Sequence, residues 1–184
     1  MRTRLLLLIA LLALLVTGWI VVHQSPGDAS TRPLVRPSTA AGPYRVRDVV
    51  DGDTIQIFVD QAAVTVRLIG VDTPETKKPD TPVQCYGPEA SARTKQLVDG
   101  HQVWLEEDQS QGHLDKYGRT LAYVWIDQVM LNQTLVAEGF AHEYTYDKPY
   151  AYQGRFRGVE AAARAAQIGF WSASTCNGDT TRPR

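Results

Sequence analysis

Apolar and polar residues alternate along several short stretches of the chain, a pattern typical of half-buried β-strands. Residues 54–59 place Ile55, Ile57 and Val59 on one face, and residues 64–71 alternate in the same way. Strand character also marks residues 44–50, 102–106 and 120–126. The sequence therefore predicts five short strands, of which the second and third form a hairpin.

Three stretches between and after these strands have helical character, and each is followed closely by a glycine, a common helix terminator. They are residues 88–98, 131–138 and 150–167. Because no crossover helix links the first three strands, a flat α/β sheet is disfavoured. We predict an α+β fold in which about three helices cap a five-stranded OB-type β-barrel.

The predicted hairpin brings two acidic residues to the same end. If Val59 and Val64 are the last opposed pair before a four-residue turn, Asp53 faces approximately Gly70, and Asp72 is its near neighbour. Such carboxylates repel each other unless a positive charge lies between them, and Ca²⁺ accepts carboxylate and carbonyl oxygens. Asp-Gly-Asp and Asp-Thr-Pro are also ordinary turn sequences, so two solvated turns are the alternative interpretation.

Two arginines and a glutamate near these acids suit phosphodiester chemistry. Arg67 lies on the polar face of the third strand, Glu75 follows Asp72 by three positions, and Arg119 enters the last strand from a Gly-containing turn. A guanidinium binds phosphate through paired hydrogen bonds, and a carboxylate beside a metal orients or deprotonates water. Taken singly, such residues are more often surface side chains.

An apolar stretch without charges, residues 5–22, follows Arg2 and Arg4. Its length and the lack of a small-residue cleavage site favour an uncleaved signal anchor over a cleaved signal peptide. The preceding arginines place the N-terminus in the cytoplasm, so we expect an extracytoplasmic domain, membrane-anchored or secreted. The predicted organisation is a signal anchor or signal peptide (1–22), a flexible linker (23–43), a folded domain (44–176) and a polar tail (177–184).

Composition limits the partners of the folded domain. The 184-residue chain has 43% hydrophobic and 21% charged residues, which excludes wholesale disorder. Four of its 19 basic residues and one of its 20 acidic residues precede Tyr44, so the domain carries a net charge of −4. It is therefore not a generally basic polyanion binder, and a bound phosphodiester must meet locally placed positive charge.

The chain has two cysteines, Cys85 and Cys176, about 90 residues apart. In an oxidising compartment such a pair forms a disulfide, which stabilises the folded state by about 4 kcal/mol in the entropic model. Two separate buried thiols are the alternative.

Four motifs add to this picture, and they occur in the order and at the spacing of one enzyme family. They are VDGDT (residues 50–54), VRLIGVDTPE (66–75), YGPEAS (86–91) and DKYGRTLAY (115–123). Over about residues 45–171 the chain resembles the staphylococcal nuclease (thermonuclease) family. The resemblance implies that Asp53 and Asp72 are calcium ligands, with the backbone carbonyl of Thr73 as a third protein ligand.

The resemblance also implies roles for the remaining matched residues. Arg67 and Arg119 are similar to arginines that bind the scissile phosphate, and Glu75 to the carboxylate that positions or activates the attacking water. Asp51 resembles an acid near the metal. Lys116 and Tyr117 resemble contacts to a nucleotide phosphate, whereas Tyr144 and Tyr146 fall near the family's aromatic wall without an assigned role.

The family resemblance predicts a calcium-dependent phosphodiesterase that hydrolyses DNA and RNA with low sequence specificity at the 5′ O–P bond and leaves 3′-phosphates. The expected partners are DNA, RNA and, if residues 1–22 are uncleaved, a membrane; we expect a monomer. Two alternatives stay open. A noncatalytic OB-fold nucleic-acid-binding module would lack some acids or arginines, and a calcium-stabilised adhesion or envelope domain would bind metal without hydrolysing nucleic acid.

Overall fold

The computed structural model describes residues 33–183. The predicted signal segment, residues 1–22, and most of the predicted linker lie outside the described residues. Within residues 33–183, no helix combines the length and apolar character needed to cross a membrane.

Eight strands are present in the described part of the chain. They are β1 (Ala41–Asp51), β2 (Thr54–Val59), β3 (Ala62–Leu68), β4 (Val71–Asp72), β5 (Gln102–Glu106), β6 (Thr120–Ile126), β7 (Val129–Met130) and β8 (His142–Glu143). Antiparallel pairing gives the order β3-β2-β1-β5-β6, and parallel pairing of β3 with β6 closes these five strands into a barrel. Closure leaves no unpaired edge in the barrel. The predicted five-stranded OB-type barrel is confirmed.

Three helices complete the α+β fold, followed by a short 3₁₀ helix, Gly169–Trp171. They are α1 (Gly87–Val98), α2 (Leu131–Ala137) and α3 (Gln153–Ala165). Pro88 lies in the first turn of α1, where its missing N–H leaves no hydrogen bond unmade. The third helix begins three residues later than predicted, and the N–H of Ala151 just before it donates to the Asp108 carboxylate.

The barrel interior is apolar, and the predicted alternation of β2 is confirmed. Ile55 and Ile57 are fully buried, whereas Gln56 between them is only half-buried. Along β6, Trp125 and its neighbours are buried on both faces because α2 packs against this strand. Burying each large side chain contributes about 1.5–3 kcal/mol to the free energy of unfolding.

The register of the β2–β3 hairpin differs from the prediction. Val59 pairs with Ala62, so the turn contains only Asp60 and Gln61. These two residues have φ values of 48° and 70°. A two-residue turn with positive φ at both positions has the twist that antiparallel strands require. The predicted four-residue turn was therefore wrong, and Asp53 accepts a backbone hydrogen bond from Leu68 at 2.9 Å instead of facing Gly70.

The folded part of the chain extends beyond residues 44 and 176 at both ends. Strand β1 begins at Ala41, and Leu34 packs against the barrel core, within the stretch predicted as linker. In the stretch predicted as a polar tail, Thr180 is buried. The predicted disulfide between Cys85 and Cys176 is confirmed, and it holds this C-terminal segment against the loop before α1.

Candidate active site

The predicted site residues line a single cleft of about 1220 Å³. They are Asp51, Asp53, Arg67, Asp72, Thr73, Glu75, Lys116, Tyr117 and Arg119. At the deep end of this cleft lie Asp53 in the turn between β1 and β2, Arg67 in β3 and Asp72 in β4, and the loop between β5 and β6 carries one wall. The fold thus brings together residues separated by up to 68 positions in the sequence.

Asp53 is buried at the deep end and fully hydrogen-bonded. Its Oδ2 accepts hydrogen bonds from the backbone N–H of Thr73 at 2.9 Å and from Thr73 Oγ1 at 3.1 Å. Its Oδ1 accepts one from Thr54 Oγ1 at 2.9 Å. A Cβ on Gly52 would lie 2.8 Å from the Thr73 side chain, so a glycine is required for this approach. The turn sequence Asp-Gly-Asp is therefore part of the site.

Arg67 lies between the two predicted metal-binding carboxylates. Its Nη2 is 3.3 Å from Asp53 Oδ2 and 3.1 Å from Asp72 Oδ1. Its Nη1 donates to the carbonyl oxygens of Leu68 and Val71 at 2.8 and 2.7 Å. These contacts fix the guanidinium in one orientation, because Nη1 has two carbonyl acceptors and Nη2 has two carboxylate acceptors.

The pKa of Asp72 is raised by burial and by the neighbouring charge of Asp53, and Arg67 offsets only part of this effect. Within residues 33–183, no cluster of three or more His, Cys, Asp or Glu side chains has an arrangement suited to a metal. A metal here would rely on Asp53, Asp72 and a backbone oxygen such as that of Thr73. All three donors are hard oxygens, which is the set that fits Ca²⁺ rather than a softer metal.

Glu75 and Asp51 form a hydrogen-bonded carboxylate pair. Glu75 Oε1 accepts N–H hydrogen bonds from Thr76, Lys77 and Lys78 at 2.9, 2.9 and 3.0 Å. Burial alone would raise the pKa of Glu75, but its hydrogen bonds to Asp51 and to these N–H groups outweigh burial and lower it. Burial and the hydrogen bond to Glu75 raise the pKa of Asp51 to about 6. When the pair holds one proton, that proton therefore lies on Asp51, and Glu75 is the member that stays ionised.

Hydroxyl groups of Thr76 and of helix α1 hold Asp51 and the adjoining Gly52. Thr76 Oγ1 and Ser91 Oγ both donate to Asp51 Oδ1 at 3.0 Å. Thr94 Oγ1 donates to the carbonyl of Gly52 at 2.6 Å. Sequence reasoning gave these hydroxyls no role, although Ser91 belongs to a motif that it recognised. Hydroxyl spacing along one helix face was the available signal.

Arg119 is oriented by Asp115, a residue to which sequence reasoning assigned no role. Arg119 Nε donates to Asp115 Oδ2 at 2.6 Å, and the N–H groups of Tyr117 and Arg119 donate to Oδ1 at 2.8 and 2.9 Å. Despite burial, these hydrogen bonds lower the pKa of Asp115. Gly118 has a φ of 76°, the left-handed conformation that this tight turn needs. The Asp-to-Arg spacing of four residues was the available signal.

The outer rim of the cleft is aromatic and basic. Tyr117 and Tyr146 are 71% and 67% exposed, and Tyr144 lies beside them. The Lys116 ammonium is 5.1 Å from the ring centroid of Tyr117 and 5.6 Å from that of Tyr146. Three further exposed lysines line the cleft: Lys77, Lys78 and Lys148. The rim therefore carries local positive charge on a domain whose net charge is negative, as we predicted for a domain that binds a phosphodiester.

A family model described as "Staphylococcal nuclease homologue" matches residues 65–173. The chain belongs to the staphylococcal nuclease family. It is 46% identical over 129 residues to the thermonuclease of Staphylococcus hyicus, across 70% of this chain and 75% of that protein. It is 44% identical over 126 residues to Endonuclease YncB of Bacillus subtilis (strain 168), across 68% of this chain and 59% of that protein. The predicted family is confirmed, and these relatives support a nuclease.

Proposed function

We propose that this member of the staphylococcal nuclease family is a calcium-dependent phosphodiesterase that hydrolyses DNA and RNA at the 5′ O–P bond and leaves 3′-phosphates. The observation that carries the proposal is the position of Arg67 between Asp53 and Asp72, in one cleft with Glu75 and Arg119. A noncatalytic binding module needs no such cluster of opposing charges around the buried Asp53, since desolvating charged groups is costly.

Asp53, Asp72 and the backbone carbonyl of Thr73 would hold Ca²⁺. The two carboxylates come from separate segments, and Arg67 between them offsets only part of the effect of Asp53 on Asp72, so a further cation is favoured beside them. When bound, Ca²⁺ supplies positive charge that polarises the phosphoryl group.

The chain's own residues supply the remaining chemistry. Arg67 and Arg119 bind phosphate oxygens and stabilise the negative charge that grows as the phosphorus becomes five-coordinate. Glu75 is ionised and orients the attacking water or accepts its proton. Asp51 holds Glu75 through their hydrogen bond. Departure of the 5′ oxygen leaves the phosphate on the 3′ side.

The rim explains low sequence specificity. Lys116 and Tyr117 bind a neighbouring phosphate, and phosphate contacts carry no base information. Exposed tyrosine rings at Tyr117, Tyr144 and Tyr146 stack on any base. The same surface therefore suits single-stranded DNA and RNA.

We also propose that the protein acts outside the cytoplasm as a monomer, membrane-anchored or secreted. The apolar residues 5–22 support export. The Cys85–Cys176 disulfide supports it independently, because disulfides persist in oxidising compartments.

The test is hydrolysis of single-stranded DNA by the full chain, with Ca²⁺ and again with excess chelator. Asp53→Ala should abolish cleavage, and the wild-type products should end in 3′-phosphates. Asp99→Ala is the matched control, since Asp99 is an exposed acid at the end of α1 outside the cleft, and it should cleave like the wild type.

Two outcomes would contradict the proposal. A protein that binds single-stranded DNA in Ca²⁺ and leaves it intact is the noncatalytic OB-fold module. A protein that binds Ca²⁺ without retaining or cutting DNA is the adhesion or envelope domain.

A further inference from the structure

The loop that follows Glu75 is closed by Gln84. The backbone N–H of Glu75 donates to Gln84 Oε1 at 2.7 Å, and the N–H of Gln84 donates to the Glu75 carbonyl at 2.9 Å. These two hydrogen bonds fix the backbone of Glu75 directly. The side-chain oxygen of Gln84 thus holds the backbone of Glu75, the residue that carries the proposed catalytic carboxylate.

Gln84 is in turn held by the C-terminal segment, residues 176–183. Gln84 forms an isolated antiparallel bridge with Pro183, and the N–H of Cys85 donates to the carbonyl of Arg182 at 2.9 Å. Arg182 Nη2 donates back to the carbonyl of Cys176 at 2.7 Å. The disulfide joins the two ends of this arrangement, so a covalent bond and a short strand pairing both act on residues 84 and 85.

This assembly is separate from the barrel core. Cys176 is buried in a second, small cluster with Ala163, Phe170 and Trp171, against which Cys85 packs. Neither cysteine belongs to the large cluster inside the barrel. Breaking the disulfide should therefore loosen the Glu75 loop before it affects the barrel.

We infer that Gln84 is a positioning residue for Glu75, and that the C-terminal segment fixes the position of Gln84 through the Cys85–Cys176 disulfide. The inference rests on the proposed function, which gives Glu75 its part in hydrolysis. Turnover then depends on the oxidised state of a bond that lies outside the cleft. A small displacement of the Glu75 carboxylate is sufficient to lower turnover, because misplacing a catalytic group by about 1 Å costs up to about 10²-fold in rate.

The first test removes the acceptor on Gln84 while keeping its shape. Gln84→Met should lower kcat about tenfold and leave KM within about twofold, since only the orientation of Glu75 changes. Gln84→Glu keeps an oxygen acceptor and should recover most of the lost turnover. Gln128→Met is the matched control, because Gln128 Oε1 accepts the N–H of Arg36 at 3.0 Å outside the cleft, and its kcat should equal that of the wild type.

The second test uses the wild-type full chain before and after treatment with dithiothreitol. The dithiol transfers two electrons and two protons, the S–S bond breaks to give two thiols, and the reagent becomes a cyclic disulfide. We expect kcat to fall about tenfold and to return on reoxidation. Amide hydrogen exchange should rise at Thr76, Lys77 and Lys78, whose N–H groups bind Glu75, while exchange in β2 and β3 stays unchanged.

The outcomes separate this inference from the proposed function. An oxidised wild type without nuclease activity overturns both. An active wild type whose kcat is unaffected by Gln84→Met or by reduction overturns the inference alone. A loss of kcat accompanied by faster exchange throughout the barrel also overturns it, because the disulfide would then stabilise the whole fold rather than position Glu75.

Discussion

The deep end and the rim of the cleft are built in opposite ways. At the deep end, Asp53 is 7% exposed and Arg67 is held by two carboxylates and two carbonyls. At the rim, Tyr117 and Tyr146 are 71% and 67% exposed and contact Lys116 through ring faces. Polar groups fixed by hydrogen bonds suit one transition state, whereas exposed rings and lysines adapt to many sequences. We therefore expect substitutions at the deep end to change kcat and those at the rim to change KM.

Arg67→Ala tests the deep end and should have the largest effect. Loss of this donor set should lower kcat by about 10²–10³-fold. The measurement is the initial rate on single-stranded DNA, with thermal unfolding to confirm that the protein folds. Arg93→Ala is the control, since Arg93 pairs with Glu138 at 2.7 Å outside the cleft. Wild-type turnover in Arg67→Ala would remove the proposed role of this residue.

Arg119→Ala should follow, with a loss of about 10²-fold in kcat. Arg119 makes fewer polar contacts than Arg67: its guanidinium pairs with Asp115 at 2.6 Å and lies 5.2 Å from the ring centroid of Tyr117. Arg119→Lys keeps the charge and loses the paired donors, so it should recover only part of the turnover. Equal rates for Arg119→Ala and Arg119→Lys would show that charge contributes nothing at this position.

Tyr117→Ala tests the rim. Loss of one stacking surface should raise KM about tenfold and leave kcat within about twofold. Tyr117→Phe keeps the ring and should retain the wild-type KM if stacking is the main contribution of this side chain. A fall in kcat without a change in KM would contradict the division between deep end and rim.

The sequence predicted the deep end better than the contacts that support it. Asp53, Arg67 and Glu75 lie in short motifs that can be read directly from the sequence. The predicted barrel brings these motifs together, so their meeting in one cleft followed from the fold. The role of Gln84 did not, because it depends on a strand pairing with Pro183 almost one hundred residues away. The hairpin register was also missed, because a two-residue turn with left-handed Asp60 carries no glycine signal.

The rim also has a buried anchor, Asp108. Its carboxylate accepts hydrogen bonds from the Tyr123 hydroxyl at 2.5 Å, from Ser110 Oγ at 2.7 Å and from the N–H of Ala151 at 2.8 Å. These contacts tie the β5–β6 loop to the segment that follows Tyr146. The adaptable surface of the cleft is thus fixed by a buried polar group beneath it.

Asp108→Asn should have the smallest effect of these variants, and mainly on stability. Despite burial, hydrogen bonds from Ala151, Tyr123 and Ser110 lower the pKa of Asp108 below its ordinary value of 3.8. Its stabilisation is therefore present above pH 3.8 and is lost as the pH falls through the lowered pKa. We expect Asp108→Asn to reduce the free energy of unfolding by about 1 kcal/mol at pH 7. Denaturant unfolding should show this difference shrinking below about pH 4, since the wild-type carboxyl is then protonated as well. A difference that stays constant across that range would mean that packing, rather than the charge of Asp108, anchors the rim.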